Sequence, residues 1–339
     1  MKRTASIASN LLRAGLAVAA LVGAYLAWSW SHALHPGTDT YMVKPGTGLS
    51  ALAAELQRRG AIWETRSFLL LGYVTFTKRE FKVGEYRFRD GINAAGILEQ
   101  VGAGRVVEYP FRIGEGATFR QVLAELERAP HLARTLQGMT YAQIMTKLDA
   151  PDTHPEGRFY PDTYFYATGN TDLSILRRAH AKMQGRLQRE WENRDPAVPL
   201  KSPDEALVLA SIVEKETGKA EERRMIAGVF VNRLKIDMRL QTDPTVIYGL
   251  GEKFDGNLRK RDLSADTPYN TYTRRGLPPT PIAMPSGEAL YAALHPESTR
   301  ALFFVSRGDG SHVFSDNVEQ HNRAVSKYQL GGRPFPPPN

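Results

Sequence analysis

The chain has 339 residues, enough for about two domains. Apolar residues make up 42% and charged residues 24%, a globular balance that excludes wholesale disorder. Lys+Arg outnumber Asp+Glu 44 to 36, a net +8 that suits an anionic partner, and the lack of Cys excludes disulfides, thiol nucleophiles and Cys-ligated zinc.

Lys2, Arg3 and Arg13 precede an almost uncharged stretch, Ala14 to Trp30. Its length sits at the lower limit for crossing a hydrocarbon core of ~30 Å. Trp28 and Trp30 close the far end, where aromatic rings favour the membrane interface. Basic residues on the N-terminal side alone predict an N-terminus inside and the rest of the chain outside. Cleavage as a signal peptide at Ser31-His32-Ala33 is the competing reading, and both export residues 35–339. No nucleic-acid partner is therefore expected for the positive charge.

Residues 31–40 read as a polar linker. Tyr41-Met42-Val43 is a short strand candidate, and Leu49, Leu52, Ala53 and Leu56 repeat at helical spacing until Gly60. The pattern returns further on: Val43, Gly46, Leu49, Leu52, Ala54, Glu55 and Leu56 align with Ile113, Gly116, Phe119, Val122, Ala124, Glu125 and Leu126. This predicts two copies of a strand–turn–helix unit. Between them, Lys82 to Phe88 alternates like a strand and Ile92 to Val101 reads as a short helix.

The second half begins near Thr140. Ser202-Pro203-Asp204-Glu205 is a strong helix start, with Ser at the N-cap, Pro at N1 and Glu at N3. Ala206 to Val213 is apolar all round, so this helix is predicted to be buried, with Gly218 as its stop. A second helix runs from about Ala220 to Leu234. Gln241 to Pro285 reads as loops rich in Pro, Thr, Asn and Tyr. Leu302 to Val305 and His312 to Phe314 flank Arg307-Gly308-Asp309-Gly310, a hairpin signal. A last helix, Val318 to Leu330, leads to a Pro-rich tail expected to be disordered.

The eight histidines show no metal-ligand spacing, and no Walker loop or Gly-x-Ser-x-Gly elbow is present, so no metal or cofactor is expected. Glu214-Lys215-Glu216-Thr217 closes the buried helix. Apolar surroundings and the negative helix end both raise a carboxyl pKa, which is what a general acid near neutral pH requires. Spacing does not separate Glu214 from Glu216, and both could equally be solvated acids paired with Lys215 and Lys219. Three loops combine aromatic rings with planar polar groups: Glu156 to Tyr164 (with Asp162), Gln241 to Val246 (with Asp243), and Pro268 to Tyr272 (with Asn270). Sugars offer apolar faces for stacking and hydroxyl rims for hydrogen bonds, so these loops point to carbohydrate.

These strings resemble the MltG (YceG-like) family of endolytic murein transglycosylases. The resemblance rests on Ala210 to Thr217, Arg239 to Gly249, Tyr269 to Tyr272, Gly276-Leu277-Pro278-Pro279 with Pro281-Ile282, Glu156-Gly157 and Pro161 to Tyr164. It implies an α+β chain with a cytoplasmic N-terminus (1–13), a transmembrane helix (14–30), a linker (31–40), a LysM-like positioning region (41–139), a catalytic domain (140–330) and a disordered tail (331–339). It implies that Glu216 is the catalytic acid and then the base. The substrate is a peptidoglycan glycan strand, cut between N-acetylmuramic acid and N-acetylglucosamine to leave a 1,6-anhydro end. Gln241, Asp243, Asn270, Tyr272, Glu156 and Asp162 are the candidates for holding glycan. The implied location is the inner membrane with the catalytic part in the periplasm, beside peptidoglycan synthases. A hydrolytic muramidase with Asp243 as its second carboxylate and a non-catalytic wall-binding scaffold are the alternatives.

Overall fold

The computed structural model describes residues 2–37, 39–44, 46–75 and 81–333. Its first helix, α1 (Lys2–Ser31), extends the predicted apolar span in both directions. Ser9–Ser31 is long and apolar enough to cross a membrane, and its most apolar stretch is not buried inside the rest of the chain. The chain divides into two compact units.

The first unit comprises Met1–Tyr109 with His131–Ala133 and Phe165–Asn170. Strand β1 (Tyr41–Val43) is followed by helices α2 (Leu49–Arg58) and α3 (Thr65–Thr75), then strand β2 (Gly84–Tyr86) and helix α4 (Ala94–Gly102). β1 and β2 pair antiparallel, Tyr41 opposite Tyr86 and Val43 opposite Gly84. One face of the ribbon and the apolar stripes of the helices close a core of Tyr41, Val43, Leu52, Leu56, Phe68, Tyr86, Ile97 and Val101. The last turns of α1 dock on α3: Ser29 Oγ lies 2.8 Å from Ser67 Oγ, and Trp30 Nε1 donates to the Ser67 carbonyl at 3.0 Å.

The second unit comprises Pro110–Pro130, Arg134–Tyr164 and Thr171–Asn339. Strand β3 (Glu108–Arg112) leads into it and helix α5 (Phe119–Arg128) follows, so the second strand–turn–helix copy also forms. The glycine shared by the two copies turns the chain at φ +77° in Gly46 and +69° in Gly116, a conformation that disfavours any residue with a Cβ. The strand partners differ: β1 pairs with β2, whereas β3 pairs with β4 (Thr163–Ala167). Helix α6 (Tyr141–Lys147) starts at a Thr140–Gln143 capping box, and α7 (Asp172–Glu192) starts at Thr171.

Helix α8 (Pro203–Glu216) is the centre of this unit. Ser202 Oγ accepts from the Glu205 amide at 3.2 Å, as its sequence predicts. Every residue from Ala206 to Val213 is buried. Burying side chains such as Leu207, Leu209 and Ile212 contributes roughly 1.5–3 kcal/mol each. The helix stops at Glu216, two residues before the predicted glycine. Thr217 is extended, φ −145° and ψ 136°, and its hydroxyl accepts from the Lys219 amide at 3.0 Å, a local bond that competes with a further helical turn.

Helix α9 (Arg223–Lys235) follows where predicted. The segment expected as loops contains two helices, α10 (Asp243–Leu250) and α11 (Lys260–Ser264). Pro244 in the first turn of α10 starts a helix instead of marking a turn. Helix α12 (Gly287–Leu294) lies along α8, while α7, α9 and α10 also pack on α8. The hairpin forms as β5 (Phe303–Ser306) and β6 (His312–Ser315), antiparallel, and α13 (Val318–Tyr328) packs against both strands. Gly332 N donates to the Ser326 carbonyl at 2.8 Å, so the first residues of the expected tail fold back on α13; residues 334–339 lie outside the described residues.

Candidate active site

The C-terminal end of α8 opens on a cleft of about 900 Å³, near the upper end of small-molecule pockets. Glu216, the last residue of α8, forms part of its wall. The Thr242 hydroxyl donates to Glu216 Oε1. Thr242 is itself fixed in a buried cluster: its amide donates to Thr271 Oγ1 at 3.1 Å, and its carbonyl accepts from Thr245 Oγ1 at 2.8 Å. Burial pushes the Glu216 carboxyl up to about 7, and the negative charge of Asp243 adds to the shift. The Thr242 bond and the charges of His312 and Arg233 pull the other way and are outweighed. The result is a carboxylic acid that carries its proton near neutral pH and faces an open cleft.

Glu214, one turn face away, is spent on structure. Its Oε2 accepts from the Ser286 amide at 2.9 Å and from the Ser286 hydroxyl, and Ser286 is the N-cap of α12. Tertiary contacts thus separate the two acids that spacing left equivalent. The lysines do not neutralise Glu216. Lys215 reaches the Gly116 carbonyl at 3.3 Å, and the charge of Lys219 acts on Glu222 and Asp309.

Of the residues singled out for glycan, Gln241, Asp243 and Tyr272 line the cleft with Glu216. Gln241 holds a left-handed φ of +49°, a strained conformation for a residue with a side chain. The Tyr272 hydroxyl donates to Asp243 Oδ1 at 2.5 Å. Burial, then the Asp243 bond and charge, raise the Tyr272 hydroxyl pKa, so it stays a donor. Asn270 is 1% exposed and outside the cleft wall. Its amide donates to the carbonyls of Asp262, Leu263 and Ala265, while its Oδ1 accepts from the Tyr272 amide at 2.8 Å. Asn270 positions Tyr272; its own polar atoms are occupied within the loop.

Glu156 and Asp162 lie outside the cleft wall. Glu156 is buried, accepting from the Phe119 amide at 2.9 Å and the Tyr248 hydroxyl at 3.0 Å. Burial pushes its carboxyl up to about 7. The neighbouring Gly157 has φ +77°, and a Cβ there would sit 2.5 Å from Pro281 Cβ, so Glu156-Gly157 and Pro281-Ile282 are parts of one packing contact. Asp162 is exposed and bonded to Lys182, which holds its carboxyl below the usual range.

The rest of the cleft wall was not singled out from sequence. It includes Arg233, Phe303, His312, His321 and Asn322. Arg233 is buried: Nε donates to the Leu302 carbonyl at 2.6 Å, Nη1 to the Leu240 carbonyl at 2.7 Å, and the guanidinium lies over the Phe303 ring at 5.2 Å. The only sequence signal was the aromatic and histidine content of the hairpin and last helix. Among the described residues, no three His, Asp or Glu side chains gather as a metal site.

A family model of the YceG-like family matches residues 41–327. The chain is a member of the YceG-like family. The endolytic murein transglycosylase of Bacillus subtilis (strain 168) is 32% identical over 306 residues, 84% of this chain and 83% of that protein. The Streptococcus pneumoniae (serotype 2, strain D39) protein of the same name is 25% identical over 329 residues, 85% of this chain and 58% of that protein. The crystal structure of a yceG-like protein from Listeria monocytogenes superimposes with a TM-score of 0.51 at 28% identity, covering 85% of this chain and 99% of that one.

Proposed function

We propose that this YceG-like protein is an endolytic murein transglycosylase, cutting peptidoglycan glycan strands between N-acetylmuramic acid and N-acetylglucosamine. The observation that carries the reading is Glu216: one carboxyl with its pKa raised to about 7, on the wall of a cleft large enough for sugar rings. Curated relatives that carry the name of this activity support it. Glu216 donates its proton to the glycosidic oxygen, which makes the departing sugar a neutral alcohol. The C6 hydroxyl of the muramic acid closes onto C1, and its proton passes to the now ionised Glu216. Gln241, Asp243 and Tyr272 hold the ring close to the geometry of closure, which is where most of the advantage of an intramolecular attack lies. No water is consumed.

Asp243 lines the same cleft, so a hydrolytic muramidase is the second reading, with Asp243 acting on water. One experiment separates them. Uncrosslinked strands digested in heavy-oxygen water should yield 1,6-anhydromuramic ends without label. Labelled reducing ends would reject the lyase in favour of the hydrolase.

We further propose that Ser9–Ser31 anchors the chain, N-terminus inside, in the membrane across which murein is assembled, and that the first unit is a LysM-like module that positions glycan. The positive charge of Lys2, Arg3 and Arg13 on one side only of the apolar span supports the orientation. A reporter active only outside the cytoplasm should work when fused after Asn339. Such an anchor places the cleft's unit in the compartment of membrane-bound peptidoglycan synthases, and crosslinking in intact cells should recover one of them.

A further inference from the structure

Helix α3 turns Ser67, Phe68, Leu71 and Gly72 into the core of the first unit. Its outer face holds Arg66, Leu70, Tyr73 and Val74, at i, i+4, i+7 and i+8, and all four are exposed. Tyr73 and Val74 are each 70% exposed, and Trp63, just before the helix, 69%. Arg66 is the single charge of α3. A helix bathed in water puts polar residues on that face; a contiguous apolar face marks a surface that meets something else. Helix α1 fixes where the face sits. Trp63 stands edge-on to Trp28, ring centroids 6.1 Å apart at 89°. The Tyr25 hydroxyl donates to Glu64 Oε2 at 3.5 Å, and Ser67 takes the two contacts from Ser29 and Trp30 described above. The start of α3 therefore lies alongside the last two turns of α1. The connection beyond is also pinned: the Leu34 amide donates to the Ile92 carbonyl at 2.8 Å, and the Gly91 amide to the Leu34 carbonyl at 2.9 Å.

The length of the span decides what meets this face. From Ala14, the residue after Arg13, to Ser31 the helix rises about 27 Å. A hydrocarbon core of ~30 Å takes in that whole stretch, so its outer boundary falls at the end of α1. A helix docked beside Tyr25 to Trp30 is at that level and not above it. We propose that the outer face of α3, together with Trp63, lies in the outer leaflet of the bilayer that α1 crosses, so that the first unit is seated on lipid. The assignment rests on the anchor reading above. Leu70 and Val74 bury apolar surface among acyl chains, while Trp63 and Tyr73 carry a polar tip that suits the headgroup boundary. Arg66 is a partner for headgroup phosphates. Glu64, at the same level, is matched to the helix end: its carboxylate accepts from the Arg66 amide at 2.7 Å and the Ser67 amide at 2.9 Å. A single spanning helix leaves a domain free to turn about its axis; a second contact through α3 fixes which side of the first unit faces away from the membrane.

The chain has no Cys, so one introduced Cys carries a nitroxide label at a single known place. The full chain is reconstituted in vesicles of phosphatidylethanolamine and phosphatidylglycerol, with the label at Leu70→Cys, Tyr73→Cys or Val74→Cys in turn, and at Ala20→Cys as the reference within the span. Collisions with oxygen, which concentrates in lipid, are compared with collisions with a nickel chelate, which stays in water. Oxygen should dominate at all three α3 positions, as it does at Ala20→Cys. Adding Leu70→Asp and Val74→Asp should shift the Tyr73 label from oxygen-dominated to nickel-dominated relaxation, with the Ala20 label and the melting temperature unchanged. Nickel-dominated relaxation at Tyr73 or Val74, with Ala20 still in lipid, overturns the proposal and leaves the anchor standing. A label screened from both colliders means that protein covers the face, which overturns it as well. Nickel-dominated relaxation at Ala20 rejects the anchor reading itself, and the proposal falls with it.

Discussion

Two carboxyls of the second unit, Glu156 and Glu216, are pushed to the same value, about 7, by the same first cause, burial. Their settings differ. Both oxygens of Glu156 are engaged, one by the Phe119 amide at the start of α5 and the other by the Tyr248 hydroxyl of α10. It ties two helices together and is not among the residues that line the cleft of Glu216. Glu216 accepts one bond, from Thr242, and faces a cleft of about 900 Å³. A shifted pKa therefore marks a desolvated carboxyl; access to a substrate-sized space is what turns it into a candidate acid.

The sharpest way to break this comparison is to neutralise each carboxyl in turn. Glu216→Gln keeps shape and hydrogen bonding but has no proton to give, so kcat on glycan strands should fall by about 10³-fold or more with melting temperature nearly unchanged. Glu156→Ala should do the reverse. It strands the Phe119 amide and the Tyr248 hydroxyl, costing about 2–4 kcal/mol in denaturant unfolding, while kcat of the folded enzyme stays within about threefold. Loss of activity in a folded Glu156 variant would erase the distinction.

The pH dependence of stability sharpens it further. Both carboxyls have folded values near 7 against 4.5 for a free group. A raised folded pKa means that the folded state holds the proton more tightly. Its stabilisation is complete below about 4.5 and is lost as pH rises towards 7 and beyond. For Glu156 the loss is on the order of 3 kcal/mol. Unfolding midpoints should therefore fall between pH 5 and pH 8, and Glu156→Gln should flatten that slope.

Glu214→Gln tests the neighbour of the acid. It weakens the grip on Ser286 at the start of α12, costing about 1–2 kcal/mol, with kcat within a few-fold of wild type. If Glu214→Gln is inactive and Glu216→Gln active, the acid is the other residue. The smallest effect is expected of Tyr272→Phe, which removes the hydroxyl bonded to Asp243 and should raise KM by about two- to fivefold.

Local patterns were enough to read the apolar span, the start and burial of α8, the hairpin and both strand–turn–helix copies. Each rests on residues within a few positions of one another: Ser202, Pro203 and Glu205 at a helix start, or Gly46 and Gly116 at a left-handed turn. The family strings pointed to Glu216 and the glycan loops. Spacing along a helix could not separate Glu214 from Glu216. That choice depends on Ser286 and Thr242, 72 and 26 residues away along the chain, each of which claims one carboxylate. The same limit hid the rest of the wall, because Arg233, His312 and His321, from α9, β6 and α13, line one cleft with Glu216 only in the folded chain. Nor does the sequence show that Glu156 and Asn270, whose polar side chains look suited to sugar, bond to the fold's own amides, hydroxyls and carbonyls. Periodicity and caps are short-range and written in neighbouring residues. Which polar group is buried, and against what, is decided by contacts between distant segments, and these exist only once the chain is packed.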